Sequence, residues 1–253
     1  MLGDSEGGAQ LDGLGTSGAP GPNAFLAKLD ATGHPLWVRH FGVGAKVGVT
    51  RLAVDLEGAC IVSGYAQGAA RIENLVVGSA AKLESYYLAA KYLPDGSVAW
   101  ARDLAYVKDL KPGDVCTDLG GNAYFTHTLD GAAVSILKLG RGGDVQWEKR
   151  YTFSSLPGRR TFLQASSEGF VYLAGDYYSN VDLDGRTLTS RGYSDIFVAL
   201  LEATTSPWDF VRPNPITKPV ATMPVVNPPS IQAPIASNAM IIPTSRGRMY
   251  ITK

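Results

Sequence analysis

Cysteine and histidine are scarce in this chain of 253 residues: the two cysteines are Cys60 and Cys116, and the three histidines are His34, His40 and His127. With no CxxC spacing among them, a Cys/His zinc module is excluded on counts alone, and both thiols fit small buried apolar residues. Unbroken apolar segments of about 18 residues are also missing, which excludes a membrane-spanning helix. The opening MLGDSEGGAQLDG has neither a basic nor an apolar leader region, so no signal peptide is expected within it. Excess charge is lacking too. Lys plus Arg and Asp plus Glu both number 23, so no overall field draws the protein to a polyanion, and neither nucleic acid nor a membrane surface is an expected partner. Helix-period patterning is absent over any useful length, as are GxSxG, HExxH, a phosphate-binding loop and GxGxxG in a βαβ setting. No cofactor is expected.

What the chain has instead is glycine and short alternating apolar runs, among them FLAKL, ACIVSGY, YYLAAKY, NAYFTHT and FVYLAG, separated by Gly or Asp turns. That pattern predicts an all-β protein. The four tryptophans, Trp37, Trp100, Trp147 and Trp208, each follow a β-like run and a short turn, so all of them occupy one position of an internal repeat. Gly58, Gly121 and Gly169 fall about 21 residues beyond their Trp, each between two apolar runs, and mark tight hairpins. MIIPTSRGRMYITK aligns with FLQASSEGFVYLAG and places Gly247 on Gly169, which makes a fourth unit with a longer Trp-to-Gly distance.

Four strands per unit, A (RLAVD), B (ACIVSGY), C (FLAKL) and D (LWVRHF), describe a β-propeller blade. The expected fold is a single propeller domain over 1–253 with four four-stranded blades and a proline-rich insertion at 211–238 between the last D and A strands. GDSEGGAQLDG from Gly3 matches GDYYSNVDLDG from Gly175, so the first unit begins about where the last one stops. The closing blade is expected to join the C-terminal A-B pair to the N-terminal C-D pair, because an unpaired sheet edge is a liability. Two chains exchanging ends to form an eight-bladed ring satisfy the same pattern.

FLAKLDATGHPLW and IFVALLEATTSPW, taken with RLAVDLEGACIVSGYAQG, resemble the bacterial β-propeller repeat family called SBBP. The resemblance implies a secreted or cell-surface protein and says little about activity. LDATGHPLW is also similar, more weakly, to the docking repeat of quinoprotein dehydrogenases, which would imply a quinone cofactor; the vicinal cysteine pair of that family has no counterpart here. The fourth unit departs from the repeat, with Thr204 and Pro207 where the others have Gly and an apolar or Gln residue.

The repeated Asp30, Gly33, Asp95, Gly96, Gly142 and Gly143 lie between strands C and D, where Gly supplies positive φ and Asp bonds the turn backbone. One carboxylate per unit on a tight turn reads as structure, not catalysis. Asn180, Asp182 and Asp184 echo the start of a calcium loop, but Arg191 stands where the bidentate carboxylate belongs, so no metal site is expected. His127 takes a strand-B position held by Gly in other units and reads as a sheet residue.

Alternating strand direction puts the A-B and C-D turns on one face and the longer B-C and D-A connections on the other. Recognition resides in such loops on a rigid scaffold. The expected binding face collects Tyr65, Arg71, Asp176, Tyr177, Tyr178, Arg191 and Tyr193, a set suited to sugar rings or a protein surface. The same tyrosines also fit gaps beside the loops. Between Arg212 and Asn238 the chain carries seven prolines and no acid, with an apolar content that favours packing over free solution. Three functional classes follow: a non-catalytic interaction scaffold binding a protein or glycan, or further copies of itself; a propeller enzyme with a central site; and a structural subunit of a larger assembly.

Overall fold

The computed structural model describes residues 1–6, 10–15, 22–80, 84–106, 111–129, 133–153, 161–166, 169–183, 185–202, 239–244 and 247–252. Side chains at 4–11, 15–23, 106–112, 129 and beyond 201 are outside that description. The expected insertion at 211–238 and Trp208 also fall outside it. The described residues form strands and turns only, as the alternating apolar pattern requires.

The chain begins with β1 (Leu2–Glu6), a small hairpin of β2 (Gln10–Leu11) and β3 (Leu14–Gly15), then β4 (Pro22–Leu29) and β5 (Pro35–Phe41). Next come β6 (Lys46–Val54), β7 (Cys60–Gln67), the hairpin β8 (Ala70–Ile72) and β9 (Leu75–Val77), β10 (Ser85–Tyr92) and β11 (Val98–Tyr106). They are followed by β12 (Lys111–Thr117), β13 (Ala123–Leu129), β14 (Ala133–Leu139) and β15 (Val145–Phe153). The last group is β16 (Thr161–Ala165), β17 (Phe170–Tyr177), the hairpin β18 (Asn180–Leu183) and β19 (Arg186–Thr189), β20 (Asp195–Glu202), β21 (Ala239–Thr244) and β22 (Gly247–Thr252).

All pairings are antiparallel. The second sheet is a meander in the order β11-β10-β7-β6, and β12-β13-β14-β15 repeats it in the third. The first sheet is β1-β4-β5, and the fourth is β16-β17-β20 extended by β22 and β21. Strand for strand, β6, β12 and β16 are A; β1, β7, β13 and β17 are B; β4, β10, β14 and β20 are C; and β5, β11 and β15 are D.

The closing pair lies elsewhere than expected. β1 already occupies the B place beside β4, and the C-terminal hairpin adds β22 to the edge of β20 through Val198↔Thr252 and Ala199↔Ile251. Among the described residues nothing else hydrogen-bonds that edge, and an open edge is a ready template for another strand.

One turn design recurs. At the C-D connections, Gly33 N donates to Asp30 O, Gly96 N to Leu93 O and Gly143 N to Gly140 O, with φ of +90°, +84° and +85° at the glycines. The register slips at Lys28/Leu29, Lys91/Tyr92 and Lys138/Leu139, so each is a type I turn closed by a glycine bulge. The A-B turns at Gly58, Gly121 and Gly169 are built alike. Asp30 Oδ1 accepts from the backbone of Thr32 and His34 and from the Thr32 hydroxyl; the hydroxyl first, then the His34 amide, holds the carboxyl below its usual range. The repeated acid is thus a turn former.

Sheets stack face to face in sequence order, because the inner strands β7, β10 and β14 are apolar and buried on both sides. Ala24, Leu26 and Phe41 of the first sheet meet Val62, Tyr86, Leu88 and Ala90 of the second. Ile61, Tyr87, Ala89 and Trp100 of the second meet Val115, Phe125, Leu137 and Leu139 of the third. Tyr124, Ile136 and Tyr151 of the third meet Leu173, Tyr177 and Phe197 of the fourth. The A strands approach one another most closely, β6 against β12 and β12 against β16. Asp114 ties all of them together: Arg51 Nε lies 3.3 Å from Oδ1, and Leu163 N donates to Oδ2 at 3.0 Å.

The Trp repeat explains how neighbouring sheets are spaced. Trp37 Nε1 donates across the junction to Pro94 O at 3.0 Å, and Trp100 Nε1 donates to Arg141 O at 3.1 Å. Each indole lies over the turn glycine of the next sheet. A Cβ on Gly96 would come 2.9 Å from Trp37, and one on Gly143 would come 2.8 Å from Trp100. Glycine is needed at both for its φ and for this close approach.

Candidate binding face

The B-C connections carry the length, as their sequence suggests, but they are ordered by strand pairing. The β8–β9 hairpin reaches back to the first sheet, where Val43 and Arg71 exchange backbone hydrogen bonds of 2.9 and 2.7 Å. The β18–β19 hairpin does the same to the third sheet, pairing Asp182 with Thr152 and Val181 with Phe153. Each hairpin therefore fastens the last strand of the preceding sheet.

Of the expected binding residues, Tyr65 and Arg71 belong to the second sheet and the remainder to the fourth. Tyr65 is partly exposed and its ring covers Gly48, where a Cβ would come 2.4 Å from the ring. Arg71 presents an exposed side chain from a backbone fixed by Val43. Tyr177 is a correction: it is 1% exposed and packs against Phe197, because the strand alternation turns it into the core between the third and fourth sheets. Asp176, on the opposite side of the strand, is half-buried. Tyr178 and Tyr193 are brought together edge to face at 5.5 Å, and Tyr193 is 89% exposed. Arg191 lies exposed in the same turn, its backbone N–H donating to Asp195 Oδ2 at 3.0 Å. This aromatic pair flanked by a cation and an acid offers a flat apolar surface with polar groups at its rim.

Asp182 Oδ1 accepts from Gly185 N at 2.9 Å, as a turn acid does, and Asp184 lies outside the described residues. Among the described residues no three His, Cys, Asp or Glu side chains gather as metal ligands. Asn180 and Asp182 both lie on the regular strand β18.

A polar cluster that sequence reading missed lies between the second and third sheets. His127 pairs across the ladder with Ser135, whose hydroxyl donates to Glu148 on β15; Arg150 bonds the same carboxylate. His127 is buried against the Tyr87 ring, 5.6 Å between centroids, and its Nδ1 has no hydrogen-bond partner. Burial holds the imidazole down to about 4, against smaller opposing influence from Glu148. On Glu148 burial acts upward, but Ser135 and Arg150 outweigh it and lower the carboxyl. The hydroxyl serves the carboxylate rather than the imidazole, and Ser135 and His127 are sealed from solvent, so this is a packed polar network and not an exposed nucleophile and base. Period-two alternation along β13, β14 and β15 places these residues on one face; only the strand register shows which of them meet.

Cys116 is buried as expected, whereas Cys60 is only half-buried; burial first pushes Cys60 up to about 11 and Cys116 to about 12. No protein-family model matches the chain, and a comparison with curated proteins finds no match.

Proposed function

We propose that the protein is a non-catalytic β-propeller scaffold of four blades that binds a glycan or a protein partner through its B-C face. Support for the blade plan comes from the four-stranded meanders of the second and third sheets, the approach of the A strands, and the indoles of Trp37 and Trp100 bonded across two of the sheet junctions. The likeness of the repeats to SBBP sequences supports the same plan and a secreted or cell-surface setting. The observation that carries the binding role is the Tyr178–Tyr193 pair, whose outer ring is almost wholly exposed in the turns that flank the β18–β19 hairpin, itself paired to the third sheet. A rigid, exposed aromatic with polar neighbours costs little entropy to use in recognition.

Glycan-array screening of the intact chain beside Tyr193→Ala tests the proposal. Binding that falls at least about tenfold in the variant, with unchanged thermal stability, is the expected result for a side chain that contributes more than about 1.4 kcal/mol. Glycan or partner binding that ignores both Tyr193→Ala and Arg191→Ala would place recognition elsewhere and overturn it.

A further inference from the structure

Each of the second, third and fourth sheets has an A strand paired antiparallel to its B strand: β6 to β7, β12 to β13 and β16 to β17. In the first sheet β1 holds the B place beside β4, and among the described residues no strand pairs with its other side. Met1 and Ala27 exchange both backbone hydrogen bonds, at 2.7 and 2.9 Å. Pairing in an antiparallel ladder alternates, so Leu2, Asp4 and Glu6 turn their N–H and C=O groups to the free edge, whereas Gly3 and Ser5 turn theirs to β4.

The second sheet carries the matching wall. In the repeat, Leu52 on β6 corresponds to Val115 on β12 and Leu163 on β16. Val115 is 6% exposed and Leu163 5%, because the A strand of the preceding sheet covers each: Ala53 packs in the cluster of Val115, and Cys116 in that of Leu163. Leu52, with no such strand before it, is 36% exposed. Val54, two residues on along the same side, is 58% exposed, whereas its counterparts Thr117 and Ala165 are half-buried. β1 lies against β6, so the free edge and the uncovered side chains adjoin. Unpaired backbone groups beside an apolar wall are the geometry of strand addition.

We infer that this slot takes an extended segment of another protein, added as an A strand antiparallel to β1. The repeat sets its chemistry: apolar residues at alternate positions, with a small one over Leu52, as Ala53 and Cys116 are small over Val115 and Leu163. The chain's own segment between Glu202 and Ala239 is a poor source. Its longest run without proline is the five residues Trp208–Arg212, and a proline offers no N–H to a ladder. The inference rests on the strand order of the sheets, and neither on ring closure nor on glycan binding.

Amide exchange on the intact ¹⁵N-labelled chain tests it, with a synthetic peptide of the protein's own A strand, VTRLAVDL (Val49–Leu56), as the probe. In the free chain the amides of Asp4 and Glu6 should exchange fast and those of Gly3 and Ser5 slowly. Saturating peptide should slow the first pair at least about tenfold, and a scrambled peptide should not. Leu52→Asp should weaken peptide binding at least about tenfold, and Val54→Asp, at a more exposed position, should weaken it with the thermal midpoint unchanged. No slowing at about 1 mM peptide, or binding that ignores both substitutions, overturns the slot. Protection of Asp4 and Glu6 already present in the dilute chain shows that the chain fills its own slot, and protection that grows with chain concentration assigns it to a second copy; either result overturns the partner strand.

Discussion

Gly96→Ala isolates the junction between the first and second sheets. Alanine at φ +84° costs about 1 kcal/mol from backbone strain alone. Its Cβ would also sit 2.9 Å from Trp37 Cδ2 and 3.1 Å from Arg39 Nη2, so the indole has to withdraw. Overpacking of that kind costs about 1–3 kcal/mol, and the displaced Nε1–H loses its bond to Pro94 O, worth about 1 kcal/mol. The total is about 3–5 kcal/mol. Gly58→Ala is the control: φ is +77°, but the nearest atom to its Cβ is Pro94 Cγ at 3.8 Å, an ordinary contact, so the strain of about 1 kcal/mol is its whole cost. Urea unfolding should therefore separate the two variants by about 2 kcal/mol or more. In a Trp37→Ala background the gap should largely close, since only the end of the Arg39 side chain, at 3.1 Å, is left to move aside. Equal stability of Gly96→Ala and Gly58→Ala in the native background would refute the wedge.

Other consequences are open to measurement. Lys91 Nζ and Asp55 Oδ2 form a buried pair at 2.8 Å, so Lys91→Met should cost about 3–5 kcal/mol in chemical denaturation, and adding Asp55→Leu should recover much of it. His127 titrates at about 4 when folded and near 6.5 when unfolded, so the unfolded state binds the extra proton between those values. Stability should be full above about pH 6.5 and fall by about 3 kcal/mol as pH drops toward 4, a slope that His127→Gln removes. Burial pushes the Asp55 carboxyl up, but Lys91 and the amides of Ala59 and Glu57 bring it below its usual value, so its contribution is kept above about pH 3.9 and is lost at more acid pH. Cys116 should react with a thiol reagent only at the rate of unfolding, and the half-buried Cys60 faster; rapid labelling of Cys116 in native protein would contradict its burial.

Much of this architecture is legible from the positions of a few residues. Gly33, Gly96 and Gly143 announce their turns because positive φ is costly for any other residue, and Trp37, Trp100 and Trp147 fix the strand that follows. The alternating runs identify the sheets, but the match of Gly3 to Gly175 reads as a unit whose A-B pair comes from the C-terminus, whereas β1 itself takes the B place beside β4. The short hairpins β8–β9 and β18–β19 read as loops, since three or four residues are too few for a period to register. Tyr177 reads as a loop residue because it ends a strand, and only the alternation from Val171 onward turns it inward. The His127–Ser135 pair is invisible in sequence order, because register across a ladder is set by turns and bulges rather than by the residues that meet. Trp147 shows the limit of the repeat itself: unlike Trp37 and Trp100, its Nε1 is buried without a hydrogen-bond partner among the described residues, and an unpaired buried donor costs about 1–3 kcal/mol.

The hairpins β8–β9 and β18–β19 have two employers. Their inner rungs staple one sheet to the next through Val43–Arg71 and Phe153–Val181, while their outer turns meet the surroundings. Diversification is therefore channelled to exposed positions such as Asn74 and the Arg191–Tyr193 turn, which carry none of these staples. A lineage built on this plan can exchange one ligand for another quickly at those positions, while the strands beneath them drift slowly.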